Sequence, residues 1–330
     1  MRLTHEEEPL LNYFDLHCDT IFECYETGKR LRENDLMIDR EKVARYGHYA
    51  QFFALFCGAE APAGAKRERV LFDLPPEKRL DALLTEAKTQ FRENADWLTL
   101  CYDSEDFDRA KARGKAAAFL SIEGADLLTS DEHLARAYDA GVRLVTLSWN
   151  YRNAYACGAA VDNDAGLTAK GKALVHRLVQ MGVIVDVSHL SEGGFWDLCV
   201  ETEAPFAASH SNSRAQCKHL RNLTDLQFSE IVRRGGLCGI NLYSAFLRDD
   251  GTPAMLDDAL RHIEHFMALG GEGCLALGCD FDGCDRLPEG ITGARDMEAL
   301  AETLLRHNYL ESTVHALFYD NAAAFIHRML

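Results

Sequence analysis

Short apolar runs recur along the chain at Tyr13–Leu16, Ala50–Phe56, Ala116–Ile122, Leu144–Ser148, Val183–Val187, Phe206–Ser209, Leu237–Asn241 and Leu275–Gly278. None alternates strongly between apolar and polar positions, as expected for strands buried on both faces. Between most of them lie segments with apolar residues at helical spacing: Pro76–Phe91, Asp131–Ala140, Leu167–Met181, Asp225–Arg234 and Pro253–Leu269. Gly182 follows the third as a stop signal. Regular strand–helix alternation predicts a parallel sheet, and eight strands predict a closed (β/α)8 TIM barrel with helical decorations. The longest connection, Gly58–Asp96, falls in the first half. No Gly/Ser linker, low-complexity segment or internal repeat divides the chain, so residues 1–330 are expected to form a single domain.

Composition narrows the function classes. The formal net charge is -17, from 35 basic and 52 acidic residues, which disfavours nucleic acid and anionic membrane surfaces as partners. No apolar stretch reaches the roughly 18 residues of a membrane span. The acidic start, Met1–Glu8, lacks the apolar core of a signal peptide. The 11 cysteines are scattered, odd in number and free of any C-x-x-C pair. The expectation is a cytoplasmic protein with reduced thiols serving mostly as small buried apolar residues.

The chemistry gathers at the strand ends. His17 and Asp19 stand two apart at the end of the first run, so a strand delivers imidazole and carboxylate side by side. The third run ends in Ser121-Ile122-Glu123-Gly124, the fifth in Asp186-Val187-Ser188-His189, the sixth in Ala208-Ser209-His210 and the eighth in Cys279-Asp280-Phe281-Asp282. Taken singly, His189 or His210 could be a histidine bonded to backbone, Glu123 a helix cap and Asp280 or Asp282 a turn residue. In a barrel, however, the C-terminal strand ends share one rim. Three histidines and three carboxylates there suffice for two divalent ions with an acid to spare. Imidazole and carboxylate without thiolate suit zinc first, and also manganese or cobalt. Two such ions about 3.5–4 Å apart can share a water and make it a hydroxide near neutral pH. Glu123, with a longer reach than Asp, suits a bridge between them.

Other histidines are set aside. His262-Ile263-Glu264-His265 has the wrong spacing for a zinc-binding H-E-x-x-H helix and is expected at the surface. His5, His133, His176, His307, His315 and His327 fall in helices or tails and are expected to face solvent. His48 and His219 stay open.

The segments DLHCDT (15–20), GHYAQFFALF (47–56), SIEGAD (121–126), VRLVTLSWN (142–150), GVIVDVSHLSE (182–192), ASHSNSRAQCKHLRNLTD (208–225), GINLYSAFL (239–247) and GCDFDG (278–283) together resemble the renal (membrane) dipeptidase family of amidohydrolase-type metal hydrolases. The resemblance implies a (β/α)8 barrel with a binuclear zinc site that hydrolyses dipeptides, and a homodimer. It further implies that His17, Asp19 and Glu123 bind one metal, and that Glu123, His189 and His210 bind the other. Asp280 would be the acid/base group, Arg221 the partner of the substrate carboxylate, and Tyr243 a further binding residue. One departure stands out. Mammalian members carry a substrate-binding histidine after the fourth strand, where this chain has Trp149. Trp offers one indole N–H and no positive charge, so the metal alone, Asn150 or Arg152 would have to serve the developing oxyanion. Tyr319-Asp320-Asn321 also departs from a glycine pair before Asn, in a region expected to be structural. Two rival functions remain at this level. One is a related metal hydrolase acting on another small amide, lactone or β-lactam. The other is a non-catalytic binding protein on the same barrel, which the complete ligand set disfavours.

Overall fold

The computed structural model describes residues 11–57 and 69–330; His5, the acidic N-terminus and the first part of the 58–96 connection lie outside them. Among the described residues nine parallel strands are present: β1 (Tyr13–Cys18), β2 (Tyr49–Phe56), β3 (Leu98–Leu100), β4 (Ala116–Glu123), β5 (Val142–Thr146), β6 (Ile184–Asp186), β7 (Ala207–Ala208), β8 (Leu237–Ile240) and β9 (Leu275–Leu277). Eight of them close a ring. β1 pairs with both β2 and β9, and β2 pairs with β4 from Ala50↔Ala117 through Phe56↔Glu123. β3 is an addition outside the ring, paired only to the start of β4. The predicted (β/α)8 barrel is therefore the observed fold. The predicted helices are also present, as Pro76–Glu93, Asp131–Asp139, Ala169–Gln180, Asp225–Arg233 and Leu256–Ala268. No helix among the described residues is long and apolar enough to cross a membrane.

The barrel interior is a plug of Phe14, Phe52, Phe119, Leu144, Ile184, Ala207, Leu237 and Ala276, each from a different ring strand. Tyr319, Phe325 and Ile326 of the C-terminal segment close its floor. Side chains alternate along a strand. Residues two or four beyond the plug therefore face inward again, one layer nearer the C-terminal rim: Glu123 above Phe119, Thr146 above Leu144, Asp186 above Ile184. The same pleat that builds an apolar bottom lifts a polar layer to the mouth. His48 belongs to the floor instead, with Nδ1 2.6 Å from the Tyr319 hydroxyl. Asn321 donates to the Leu275 carbonyl from the same end, so the Tyr319–Asn321 region is structural, as expected.

Two histidines predicted to face solvent do not. His262 is wholly buried. Its Nδ1 accepts the Ser213 N–H at 3.0 Å and its Nε2 lies 3.2 Å from the Leu247 carbonyl. It lies four residues after Asp258 and four before Phe266, on the buried stripe of its helix. Burial pushes it down to about 4. His133 is buried at the start of its helix, with Nδ1 2.9 Å from the Thr129 hydroxyl.

Candidate metal centre

The residues predicted at the strand ends meet at the mouth of the barrel. Glu123, the last residue of β4, is the centre. Its Oε2 lies 3.4 Å from His17 Nε2, and its Oε1 lies 2.8 Å from His189 Nε2 and 3.5 Å from His210 Nε2. His17 Nε2 is also 3.6 Å from Asp19 Oδ2 and 3.8 Å from Asp280 Oδ1. Two overlapping groups with metal-ligand geometry result: His17, Glu123 and His210, and His17, Asp19 and Asp280. His189 joins through Glu123 and His210, their Nε2 atoms 2.8 Å apart. All six residues are at most 8% exposed.

The local backbone is built for this convergence. A register shift between Asp15 and Cys18 breaks the pleat of β1 where His17 and Asp19 leave it. His189, Asp280 and Asp282 have φ of 67°, 62° and 65°, the left-handed region that non-glycine residues rarely adopt and that tends to mark functional sites. Behind Glu123, Gly124 has φ 93°, and a Cβ there would lie 2.5 Å from the Cys57 carbonyl oxygen.

Neighbouring residues fix which ring nitrogen is free. Asp186 Oδ1 accepts the N–H groups of Ser188 (3.1 Å) and Ser209 (2.8 Å), and Oδ2 accepts the hydroxyls of Thr146 (2.6 Å) and Ser209 (2.7 Å). Burial pushes this carboxyl upward and those donors oppose it. With its hydroxyl proton given to Asp186, Ser209 can only accept from His210 Nδ1, 2.7 Å away. His210 therefore carries its proton on Nδ1 and presents a bare Nε2 to the centre. His189 is set the same way, its Nδ1 donating to Asn150 Oδ1 at 2.8 Å. Asp15 accepts the N–H of His17 at 3.0 Å and of Cys279 at 3.1 Å, tying β1 to the segment that carries Asp280. Asn241 Nδ2 donates to Asp280 Oδ2 at 3.0 Å and leaves Oδ1 toward the centre.

The electrostatics call for cations. Burial, then the Glu123 charge, push Asp19 up to about 8. Burial likewise raises Asp280. Burial works against charge on His17, yet the Glu123 and Asp19 carboxylates win and hold it well above the usual histidine range. His189 falls to about 3 through burial and then Arg221, and burial with the His17 charge depresses His210. His17 Nε2, Asp19 Oδ1 and Glu123 Oε2 are buried with no hydrogen-bond partner. Buried polar atoms normally find partners. Orphaned lone pairs on a hard nitrogen–oxygen donor set, over excess negative charge, fit divalent metal ions.

Arg221 lies beside the centre, 5% exposed. Its NH2 group donates to the His210 carbonyl at 3.3 Å, its guanidinium stands 5.4 Å from the Phe246 ring centroid, and its Nε has no partner. Burial lowers it to about 10, so it stays charged near neutral pH. Trp149 and Tyr243 are half-buried. Trp149 packs 5.9 Å from the His189 ring, and Tyr243 packs against Phe246. Arg152 is exposed and donates to the Asn163 carbonyl at 2.7 Å, which takes it out of the list of oxyanion partners. Asn150 is engaged with His189. His219 is taken up by the backbone N–H of Arg221, received at Nδ1. The residues that the sequence did not assign are Asp15, Asp186, Ser209 and Asn241. Each stands inside or beside a segment that resembled the dipeptidase pattern, so position was visible but role was not.

The sequence profile described as membrane dipeptidase (peptidase family M19) matches residues 6–328. A protein of the pqqA 5' region of Klebsiella pneumoniae is 34% identical over 238 residues, covering 69% of this chain and 88% of that protein. A metallopeptidase from Rhodobacter sphaeroides, solved with a phosphinate mimic of the dipeptide L-Ala-D-Ala, superimposes with a TM-score of 0.85 at 26% identity, covering 97% of this chain and 100% of that one. A structure described as dipeptidase AC, of peptidase family M19, gives a TM-score of 0.86 at 25% identity, covering 97% and 99%.

Proposed function

Because this chain belongs to the membrane dipeptidase family, peptidase family M19, we propose that its rim centre holds two divalent ions, zinc foremost, and hydrolyses small dipeptides. The chain is a metal-dependent dipeptidase. The observation that carries the proposed centre is the set of buried, partnerless donor atoms on His17, Asp19 and Glu123. His17, Asp19 and Glu123 would hold one ion, and Glu123, His189 and His210 the other. Two ions held there supply a Lewis acid for the scissile carbonyl and a water that ionises near neutral pH.

The side chains then divide the work. Arg221 receives the substrate carboxylate, because its planar guanidinium is charged, buried and incompletely paired. Asp280 takes the proton of the attacking water at Oδ1, while Asn241 holds Oδ2. It returns that proton to the leaving amine, a general base turned general acid. Its raised affinity for protons, caused first by burial, suits that exchange. The low rim shields the reaction from bulk water, since Asp280, the most exposed of the six, is 8% exposed. Tyr243 borders the same mouth. The unpaired cysteines support a reducing, cytoplasmic setting.

The test is metal content by mass spectrometry on purified protein, with hydrolysis of L,L- and L,D-dipeptides measured before and after chelation. About two zinc ions per chain, with activity lost on chelation and restored by metal, is the expected result. Asp280→Asn should keep the metal and lose most of kcat. Near wild-type turnover in that variant would remove Asp280 from its role, and a metal-free, inactive protein would sink the centre.

A further inference from the structure

Where the family pattern has a histidine, this chain has Trp149, and the structure surrounds it with aromatic rings. Phe56, the last residue of β2, meets Trp149 edge-on at 5.5 Å, and Tyr151 meets it at 5.6 Å. Buried Phe22 supports Phe56 from behind at 5.1 Å. Phe56, Trp149 and Tyr151 are all half-buried, so the cluster keeps open apolar surface at the mouth. Such rings normally disappear into the core, and a half-open aromatic wall beside a polar centre invites an apolar ligand group.

The order of groups around the rim says which group that is. Trp149 packs on His189, His189 touches His210, and the carbonyl of His210 is held by Arg221. The wall thus reaches the histidine pair through the His189 ring, and the guanidinium reaches it through the His210 carbonyl. A dipeptide anchored by its carboxylate at Arg221 extends only about 7 Å. Its scissile bond then falls at the histidines, and its N-terminal side chain falls at the wall.

We propose that Trp149, with Phe56 and Tyr151, forms the seat for the N-terminal side chain, and that the enzyme selects dipeptides whose first residue is large and apolar, such as Leu or Phe. A charged first side chain would lose hydration against this wall and gain no partner. The assignment rests on the dipeptidase function and on Arg221 as the carboxylate anchor. Burying one such side chain is worth a preference on the order of 10- to 100-fold.

The experiment uses the metal-loaded enzyme and a series Xaa-Ala, with Xaa as Gly, Ala, Leu, Phe, Asp and Lys. Wild type should favour Phe and Leu over Gly and Asp by about tenfold or more in kcat/KM. Trp149→Ala should lower the Phe-Ala to Gly-Ala ratio by about that factor, while Trp149→Phe should keep most of it. Binding of the same dipeptides to Asp280→Asn protein, followed by calorimetry, reads the preference without turnover and should rank them alike. A flat profile in wild type, or an equal loss on every substrate in Trp149→Ala, would overturn the seat. If no dipeptide in the series is cleaved yet Asp280→Asn still prefers Phe-Ala, the seat stands and the dipeptidase assignment is what fails.

Discussion

Replacing Asp186 by Asn should disable a proposed metal ligand that Asp186 never touches. The carboxylate accepts from four donors, and both hydroxyl donors reach Oδ2. An Asn amide can keep its carbonyl on the two backbone N–H groups. Its NH2 then faces the Thr146 and Ser209 hydroxyls and donates where the carboxylate accepted. Ser209, now receiving a proton at that side, must turn its own hydroxyl toward His210 Nδ1. His210 answers by moving its proton to Nε2, the atom 3.5 Å from Glu123 Oε1, and that nitrogen no longer offers a lone pair. Changes of this kind behind metal ligands typically cost 10- to 100-fold in affinity, or about 1.4–2.8 kcal/mol. All four bonds to the carboxylate also lose their charge assistance, which should cost roughly 2 kcal/mol of stability. The assay is zinc titration of metal-free protein against a chromophoric chelator, with 15N spectra of the histidine rings to read the tautomer. Asp186→Asn should bind one equivalent of zinc at least tenfold more weakly and show His210 protonated on Nε2. Wild-type affinity for both equivalents, or an unchanged tautomer, would refute the reasoning.

Other perturbations follow from single contacts. A Cβ at Gly283 would lie 2.2 Å from Asp19 Oδ2 and 2.3 Å from Asp280 Oδ1. Gly283→Ala should therefore displace both carboxylates and lower kcat/KM by about 100-fold, measured with metal content; full activity would mean the two carboxylates tolerate movement. Arg221→Lys should raise KM about tenfold or more and erase discrimination between a dipeptide and its C-terminal amide, as read by steady-state kinetics on both. Acid should destabilise the metal-free protein through His262 and His48, each pushed down to about 4 chiefly by burial. A depressed histidine contributes its stability in full above its unfolded value of about 6.5, and that contribution is lost as pH falls toward 4, up to about 3 kcal/mol each. Denaturant melts at pH 7 and pH 4.5 should show the loss, and His262→Gln should flatten it; an unchanged slope would exonerate His262.

Most of the barrel was legible because strands buried on both faces must be apolar throughout, and eight such runs stand out between helices. The convergence of its candidate ligands was legible because barrel chemistry collects where those runs end. β3 was not, since Leu98–Leu100 is three residues long and pairs with one neighbour, leaving no periodicity to read. The ends of β6 and β7 were each read one residue too far, at Val187 and Ser209, because the backbone leaves the ladder there and turns left-handed at His189. The burial of His262 follows from its helix face, shared with Asp258 and Phe266, and not from the motif spacing that set it aside as a ligand. The role of Asp186 could not be read at all. Its function exists only through Ser209 and Thr146, which lie 23 and 40 residues away and meet it only once β5, β6 and β7 are side by side.

The seam between β1 and β9 gives the centre a place in the history of the chain. Asp15 reaches the Cys279 N–H, and the Asp19 N–H reaches the Phe281 carbonyl at 2.9 Å. His17 and Asp19 precede Asp280 by more than 260 residues of chain. Until β9 docks, the group of His17, Asp19 and Asp280 does not exist, whatever the rest of the barrel has achieved. Loop closure over so long a span is slow. Seating Asp280 beside His17 and Asp19 is therefore among the last steps in building the centre. A chain stalled before residue 275 should therefore lack the acid/base group proposed at Asp280, even with Glu123, His189 and His210 in place.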